Sequence, residues 1–401
     1  MRLSVLMLSW EFPPRIVGGL AAHVHDLSVE LSRKGVEVHV LTLDFPGAAE
    51  RERVDGVNIY RIDSYKYPAP DFASWISMMN VNMLDYACGL LKSVLQRPSI
   101  IHAHDWLVAY AGIALKHIFR VPLVATIHST EYGRRRGIHD DYQRMIASTE
   151  AWLSREAWRV ICCSRYMAEE VNRVLGTPLD KVDVIPNGVY PENFQPRGGL
   201  AELRSRFALP HEKLVLFVGR LVHEKGVHLL VEAIPRILQR ADAKFVIVGE
   251  GYLKEWIKRR VEELGASQKV YVTGFLDVET LRGLYSVADV LVMPSLYEPF
   301  GIVALEAAAS RLPIVSTCVG GIGEIVSHME SCVSVYPSPD SIAWGVVQVL
   351  TNSGLAEHIR NNAYQRVKNT YTWERIADQT LEVYHRVLSE YKSIEGWKPR
   401  L

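Results

Sequence analysis

Two glutamates with seven residues between them, Glu298 and Glu306, lie in the run Pro294-Ser295-Leu296-Tyr297-Glu298-Pro299-Phe300-Gly301-Ile302, which leads from an apolar strand candidate into a helical pattern. If the helix starts near Gly301, Glu306 projects from its second turn and Glu298 stands in the loop before it. The amides of Phe300, Gly301 and Ile302 then lie at the helix start without intrahelical acceptors. Such amides suit a diphosphate. A carboxylate suits a vicinal diol, which offers it two donors, so Glu298 can accept from sugar hydroxyls and Glu306 from ribose hydroxyls. Taken alone, the same pair also fits a loop charge and a solvated helix face.

Other spacings point to other chemistry. His102-Ala103-His104-Asp105 puts two imidazoles on one side of a strand with a carboxylate after them, a pattern open to a metal ion. We assign no metal there. Gly249-Glu250-Gly251 is too short for a dinucleotide fingerprint, and the chain has no GxxxxGK[ST], so dehydrogenase and NTPase readings fail. Arg134-Arg135-Arg136, between Gly133 and Gly137, reads as a mobile solvated loop, with an acceptor or lipid-headgroup contact as the other reading. Asp-x-Asp, a motif that can hold a metal together with a diphosphate, does not occur.

These residues need a scaffold, and the chain of 401 residues is about right for two domains. Apolar runs of four to eight residues alternate with amphipathic segments, the pattern of parallel sheets covered on both faces, so the fold class is α/β. The first half offers strands at Leu3 to Leu8, Val36 to Leu43, Val57 to Ile62, Ile100 to Ala103, Leu123 to Ile127, Arg159 to Cys163 and Val182 to Ile185. Gly19 to Lys34 reads as a helix, with Leu20, Val24, Leu27 and Leu31 on one face and Gly35 as a stop. The polar stretch from Pro186-Asn187-Gly188-Val189 through Pro191, Pro196, Gly198 and Gly199 reads as a linker. We place domains at 1–190 and 191–372. Strands then resume at Leu214 to Val218, Phe245 to Val248, Val270 to Thr273, Val290 to Met293, Ile314 to Ser316 and Cys332 to Val335. The closing helical stretch from Trp373 to about Tyr391 could pack on either half; we assign 373–401 to the first.

Bulk composition excludes several classes. Lys plus Arg and Asp plus Glu both number 45, so no global positive field exists to gather nucleic acid or anionic lipid. The five cysteines are odd in number and scattered, with no CxxC pair, which fits a reducing cytoplasm. Cys162 and Cys163 read as buried strand residues. The apolar N-terminus ends in Trp10-Glu11-Phe12-Pro13-Pro14 without a small-residue cleavage site and reads as a first strand. No run reaches the roughly 18 apolar residues of a membrane span, so membrane contact would be peripheral.

The ordered set of motifs resembles the retaining glycosyltransferases of family 4, the glycogen-synthase-like group with the GT-B fold, whose signature is a glutamate pair spaced as Glu298 and Glu306 are. The resemblance covers nearly the whole chain: Gly18-Gly19-Leu20, His128 after Leu123 to Ile127, Pro186-Asn187-Gly188-Val189, Val218-Gly219-Arg220-Leu221-Val222-His223-Glu224-Lys225-Gly226, Val248-Gly249-Glu250-Gly251 and Val319-Gly320-Gly321-Ile322-Gly323-Glu324-Ile325. It implies two Rossmann-like domains with parallel sheets facing a central cleft. It also implies that Arg220 and Lys225 neutralise the donor's diphosphate, as a departing nucleoside diphosphate requires. His128 is implied to meet the region of the sugar's primary hydroxyl. Gly18 and Gly19 would let backbone approach the phosphates or the acceptor, and the base would be met near Gly274 and Phe275. One departure stands out: after Glu324 the family often shows a glycine-rich turn, whereas this chain reads Ser327-His328-Met329-Glu330-Ser331-Cys332-Val333.

No residue announces itself as a glycosidase-type nucleophile. The resemblance instead implies same-face substitution, in which a leaving phosphate oxygen takes the acceptor's proton, without a cofactor or a metal; domain closure about Pro186 to Val189 would exclude water. Arg15, His104, Asp105 and Glu131 are the acceptor-side candidates. Together with Trp10-Glu11-Phe12 and Trp106 they resemble the glucan-synthase side of the family, which implies glucosyl transfer from UDP- or ADP-glucose to an α-glucan. Transfer to a lipid or small metabolite is the alternative acceptor reading. The rivals of other classes are a nucleotide-sugar epimerase, against which the Glu298/Glu306 signature counts, and a silent sugar-binding homologue, which should have lost Arg220, Lys225 or Glu298. Glucan phosphorylase shares the fold but is much longer and needs a lysine-bound pyridoxal cofactor.

Overall fold

The computed structural model describes residues 3–63, 68–93, 97–195 and 198–393. Pro196 and residues 394–401, which the linker and the closing segment were expected to include, lie outside them. The chain forms two compact units: one runs from the N-terminus to Asn187 and takes back the closing helix from Trp373, and the other is Gly188–Thr372.

The first unit is built on an eight-stranded sheet of β1 (Ser4–Leu8), β2 (Glu37–Leu43), β3 (Arg51–Val54), β4 (Val57–Ile62), β5 (Ile100–His104), β6 (Leu123–Ile127), β7 (Arg159–Cys162) and β8 (Val182–Val184). Their order is β3-β4-β2-β1-β5-β6-β7-β8, and every pairing is parallel except β3 with β4. Val5 through Leu8, Val38, Val40, Ile100, Ile101 and Leu123 through Ala125 have no exposed surface, because helices cover both faces and apolar residues need not alternate with polar ones. β3 escaped the sequence reading. Its sequence Arg-Glu-Arg-Val is charged and mostly exposed, as an edge strand can be.

The helix Gly19–Arg33 buries Leu20, Val24, Leu27 and Leu31, and Gly35 follows its end with φ of +88°. The helix Trp373–Ser393 packs against it, burying Trp373, Ile376, Val383, Tyr384 and Val387. An ion pair between Lys34 and Asp378 (2.6 Å) adds to that contact.

The second unit carries β9 (Lys213–Val218), β10 (Ala243–Val248), β11 (Val270–Gly274), β12 (Val290–Met293), β13 (Ile314–Ser316) and β14 (Val333–Ser334), all parallel, in the order β11-β10-β9-β12-β13-β14. In this Rossmann-like order successive strands grow outward from β9 on one side and from β12 on the other, so a crevice opens beyond the carboxyl ends of β9 and β12. The first sheet has the same switch between β1 and β5.

Candidate functional site

In the second unit the chain leaves β9 through Gly219-Arg220-Leu221 into a short 3-10 turn, His223–Lys225, and leaves β12 through Pro294–Gly301 into the helix Ile302–Ala309. These two loops flank the switch point and interlock. The amides of Leu296 and Tyr297 donate to the Glu224 carbonyl at 2.8 and 3.2 Å. Gly226, at φ +68°, passes so close that a Cβ there would meet the Pro294 carbonyl oxygen at 1.8 Å.

The interlock brings Lys225 Nζ to 2.6 Å from Glu298 Oε2, in an ion pair whose carboxylate is nearly buried. Ser295 Oγ donates to the same oxygen at 3.2 Å, and the Ser295 carbonyl accepts from Thr317 Oγ1 at 2.6 Å. Arg220 is half-exposed and pairs with Glu224 at 3.1 Å. Glu306 projects from the second turn of its helix and accepts from Tyr285 OH at 2.6 Å. Gly301 takes a left-handed φ of +108° before Ile302, which sets the Phe300, Gly301 and Ile302 amides at the helix start. Gly274 ends β11 at φ +74°, and the Phe275 ring beside it is 68% exposed. The second unit thus gathers cations, a carboxylate and helix-start amides around one strand-end corner. Thr317 and Tyr285 escaped the sequence reading because their partners lie 22 and 21 residues away, and Ser295 and Glu224, three and four residues from theirs, because neither carries a signature of its own.

The turn after Glu324 closes without the family's glycines. Met329 adopts φ +57°, its amide donates to the Cys332 carbonyl at 2.7 Å, and the Ser331 and Cys332 amides both reach the Ser327 carbonyl.

In the first unit four histidines converge. His104 Nδ1 lies 3.3 Å from His128 Nε2, and the His23 ring is edge-on to His128 with centroids 4.6 Å apart. His102 is fully engaged, with Nδ1 at 2.7 Å from Tyr384 OH and Nε2 at 2.7 Å from Thr126 Oγ1, so it braces the closing helix. His23 Nδ1 is 2.6 Å from Asn187 Oδ1, a partner 164 residues away that no local pattern announces. Among the described residues, His23, His104 and His128 bring ring nitrogens within 4.8 Å of one another, close enough for a divalent ion to span them. Burial lowers His128 to about 4, and burial followed by the neighbouring imidazoles lowers His23, His102 and His104, so all four are neutral at pH 7.

Carboxylates line the same strand ends. Asp105, at φ +61°, accepts the His128 amide at 2.7 Å and so fixes the exit of β6. Glu11 accepts the amides of Val17 (2.5 Å) and Gly18 (3.0 Å), which holds the loop in front of Gly19. A side chain at Gly18 would meet nothing nearer than Glu11 Oε1 at 4.0 Å, so the backbone there has room for one. Arg15 lies over the Trp10 ring at 5.5 Å.

The arginine run corrects the sequence reading. Residues Glu131–Arg135 are a short helix capped by Thr130, and Arg134 pairs with Glu131 at 2.9 Å and with Glu150 at 3.2 Å. Glu150 arrives from the helix Asp141–Glu156 and turns one member of the run inward, leaving Arg135 and Arg136 outermost. Glu131, an acceptor-side candidate, spends its carboxylate on Arg134 and Arg135.

These buried groups make a prediction for pH. The four imidazoles bind protons more weakly folded than unfolded, so their stabilisation is complete above their ordinary value of 6.5 and is lost as pH falls below it. Burial raises Glu11 to about 7, Asp105 to about 6 and Glu150, against the pull of Arg134, to about 8, so these carboxyls bind protons more tightly folded than unfolded. Their stabilisation is complete below the ordinary carboxylate range and declines as pH rises through those values. The opposed slopes offset one another between about 4.5 and 6.5. Calorimetric melting of the protein should therefore show a plateau there with a fall on both sides, and a melting temperature still rising at pH 9 would refute this balance.

Comparison with known proteins agrees with this geometry. The family described as Glycosyltransferase Family 4 matches residues 17–193, and that described as Glycosyl transferases group 1 matches residues 201–366. An uncharacterized glycosyltransferase of Methanocaldococcus jannaschii is 43% identical over 95% of this chain and 98% of its own length. The glycogen synthase of Mycobacterium tuberculosis is 35% identical over 95% of this chain and 94% of its own. Among solved structures, the sucrose-phosphate synthase of Thermosynechococcus elongatus superposes with a TM-score of 0.85 at 24% identity, covering 97% of this chain and all of that one. No helix among the described residues is long and apolar enough to cross a membrane. Two parallel-sheet units with the glutamate pair and the paired lysine at a switch point, together with these relatives, identify the chain as a member of glycosyltransferase family 4 with the GT-B fold.

Proposed function

We propose that the chain is a retaining hexosyltransferase that moves glucose from a nucleoside diphosphate glucose, UDP- or ADP-linked, to a hydroxyl of an α-glucan. The observation that carries this reading is the Lys225–Glu298 pair at 2.6 Å beside the β9/β12 switch point, with Glu306 on the second turn of the helix that follows. A single donor set at that corner meets each group it needs. Lys225, Arg220 and the amides before Ile302 face its diphosphate. Glu298 accepts from the sugar, and Glu306 accepts from the ribose diol. Gly274 and Phe275 flank the base.

The leaving diphosphate oxygen is proposed to take the acceptor proton while the two cations hold the growing negative charge, so the new bond forms on the face that the old one leaves. Neutral His128 can accept or donate one hydrogen bond at the sugar's primary hydroxyl. Room for a side chain at Gly18 means that the fold alone does not demand glycine there, which favours close approach of a ligand as the reason for it. The glucan acceptor is favoured by the glycogen synthase relative.

The anomeric configuration tests the mechanism. Proton NMR of the product made from an α-linked donor should show an α-glucoside; a β-glucoside would overturn retention. Chemistry of this kind needs no metal, so EDTA should leave turnover unchanged. Zinc, bound across His23, His104 and His128, should lower it. Loss of activity in EDTA that a divalent ion restores would contradict the metal-free site.

A further inference from the structure

None of the five cysteines is in a disulfide, but Cys318 and Cys332 are neighbours, with their sulfurs 3.6 Å apart. Parallel register between β13 and β14 would set Cys332 opposite Ile314; Cys318 comes near Cys332 because the chain turns just past β13, where the Cys318 amide donates to Ser316 Oγ at 3.1 Å. Cys318 is partly exposed at a left-handed φ of +51°, whereas Cys332 is buried. Ser334 Oγ lies 3.0 Å from the Cys318 sulfur. Hydrogen bonds from Cys332, Ser334 and Ser316 pull the Cys318 thiol below its ordinary value and so favour the thiolate, the form that reacts with peroxides.

Cys318 also opens the segment that backs the donor corner. Gly321 donates its amide to the Glu298 carbonyl at 2.9 Å, and a Cβ on Gly321 would meet the Pro299 carbonyl oxygen at 2.2 Å. On the other side, a Cβ on Gly323 would lie 3.2 Å from the Cys318 carbonyl oxygen. A shift of Cys318 therefore has little slack before it reaches the Glu298 loop. A disulfide needs its sulfurs about 2.05 Å apart, so closing one here requires movement of this segment, of Cys332, or of both.

We propose that Cys318 and Cys332 are an oxidative modification site, at which a hydroperoxide closes an intramolecular disulfide that displaces the Glu298 loop and lowers donor turnover. In the first step the Cys318 thiolate attacks one peroxide oxygen, the O–O bond breaks, and a sulfenic acid and hydroxide result. In the second the Cys332 sulfur attacks the Cys318 sulfur, the S–O bond breaks, and hydroxide leaves and takes the Cys332 proton as water. Two thiols lose two electrons together, and one hydrogen peroxide becomes two waters. A dithiol reductant reverses the change.

The test uses the whole reduced chain, treated with hydrogen peroxide and then alkylated with N-ethylmaleimide. Peptide mapping should show a linked pair containing Cys318 and Cys332 that is lighter by two hydrogens, lost in Cys332→Ser and in Cys318→Ser. The consequence for turnover rests on the proposed transferase reading. Displacement of a loop by a fraction of an ångström at the donor should cost about tenfold. Dithiothreitol should restore turnover, and Cys332→Ser should resist peroxide. Linkage of other cysteines, or none, overturns the site. A linked pair with unchanged turnover overturns the coupling to Glu298. Failure of the reduced enzyme on every donor would instead count against the transferase reading, because the peptide map decides the disulfide independently.

Discussion

Lys225→Ala is expected to lower kcat by about 10²–10³ while leaving the fold intact, the scale for removing one preorganised group from a developing anion. Lys225 is the cation in direct contact with Glu298, and it sits on a loop whose position is fixed by the Glu224 carbonyl and by the close approach of Gly226 to Pro294. Its charge is therefore in place before the donor arrives and costs little to reorganise during the reaction. Its loss should fall on kcat as well as on kcat/KM, because charge on the leaving diphosphate grows toward the transition state. A variant with raised KM and unchanged kcat would show that Lys225 only holds the ground-state donor. Thermal melting of the same variant separates catalysis from folding: Glu298 keeps Ser295 as a donor, so the midpoint should move little.

Gly249→Ala should be strongly destabilising. Gly249 follows β10 at φ +138°, and a Cβ there would meet the Gly219 carbonyl oxygen at 1.9 Å and its carbon at 2.9 Å. Both contacts are backbone and cannot rotate away. Backbone strain and overpacking together should cost about 3 kcal/mol or more. The loop that must give way is the one that carries Arg220, so donor binding should weaken with stability. Gly265→Ala is the control. Gly265 also has a positive φ (+68°) but nothing within 4 Å of a Cβ, so only backbone strain of about 1–2 kcal/mol applies. Denaturant titration of the two variants isolates the steric part, and equal losses would argue that the loop after β9 is pliable.

The sheets were legible because parallel strands buried on both faces leave unbroken apolar runs such as Leu214 to Val218 and Val290 to Met293. The strand β3 was not, since its exposed charged sequence has no such run, although Asp55-Gly56 beside it is a hairpin signal. Glu298, Glu306, Arg220 and Lys225 were legible because each follows a strand in sequence, where ligand groups gather in this class of fold. Their partners were not. Ser295 looks like any loop serine until Glu298 turns back on it, and Tyr285 like any core aromatic until Glu306 reaches its hydroxyl. Arg134 was misread for the complementary reason: three arginines between glycines suggest solvent, and only the tertiary approach of Glu150 shows that one of them is held inside. The Cys318–Cys332 contact likewise depends on the turn at Cys318, whose left-handed backbone no residue type there announces.

The central claim is transfer from the Glu298/Lys225 corner to an α-glucan. It is tested most directly by product formation from UDP-glucose, ADP-glucose and GDP-mannose, each with maltosaccharides, with glycogen and with no acceptor, beside a Glu298→Ala control. The expected result is chain-extended glucan from UDP- or ADP-glucose, absent in the control. Slow donor hydrolysis without extension would contradict the glucan acceptor, and no turnover with any donor, or extension that survives Glu298→Ala, would contradict the assignment of this corner as the site of transfer.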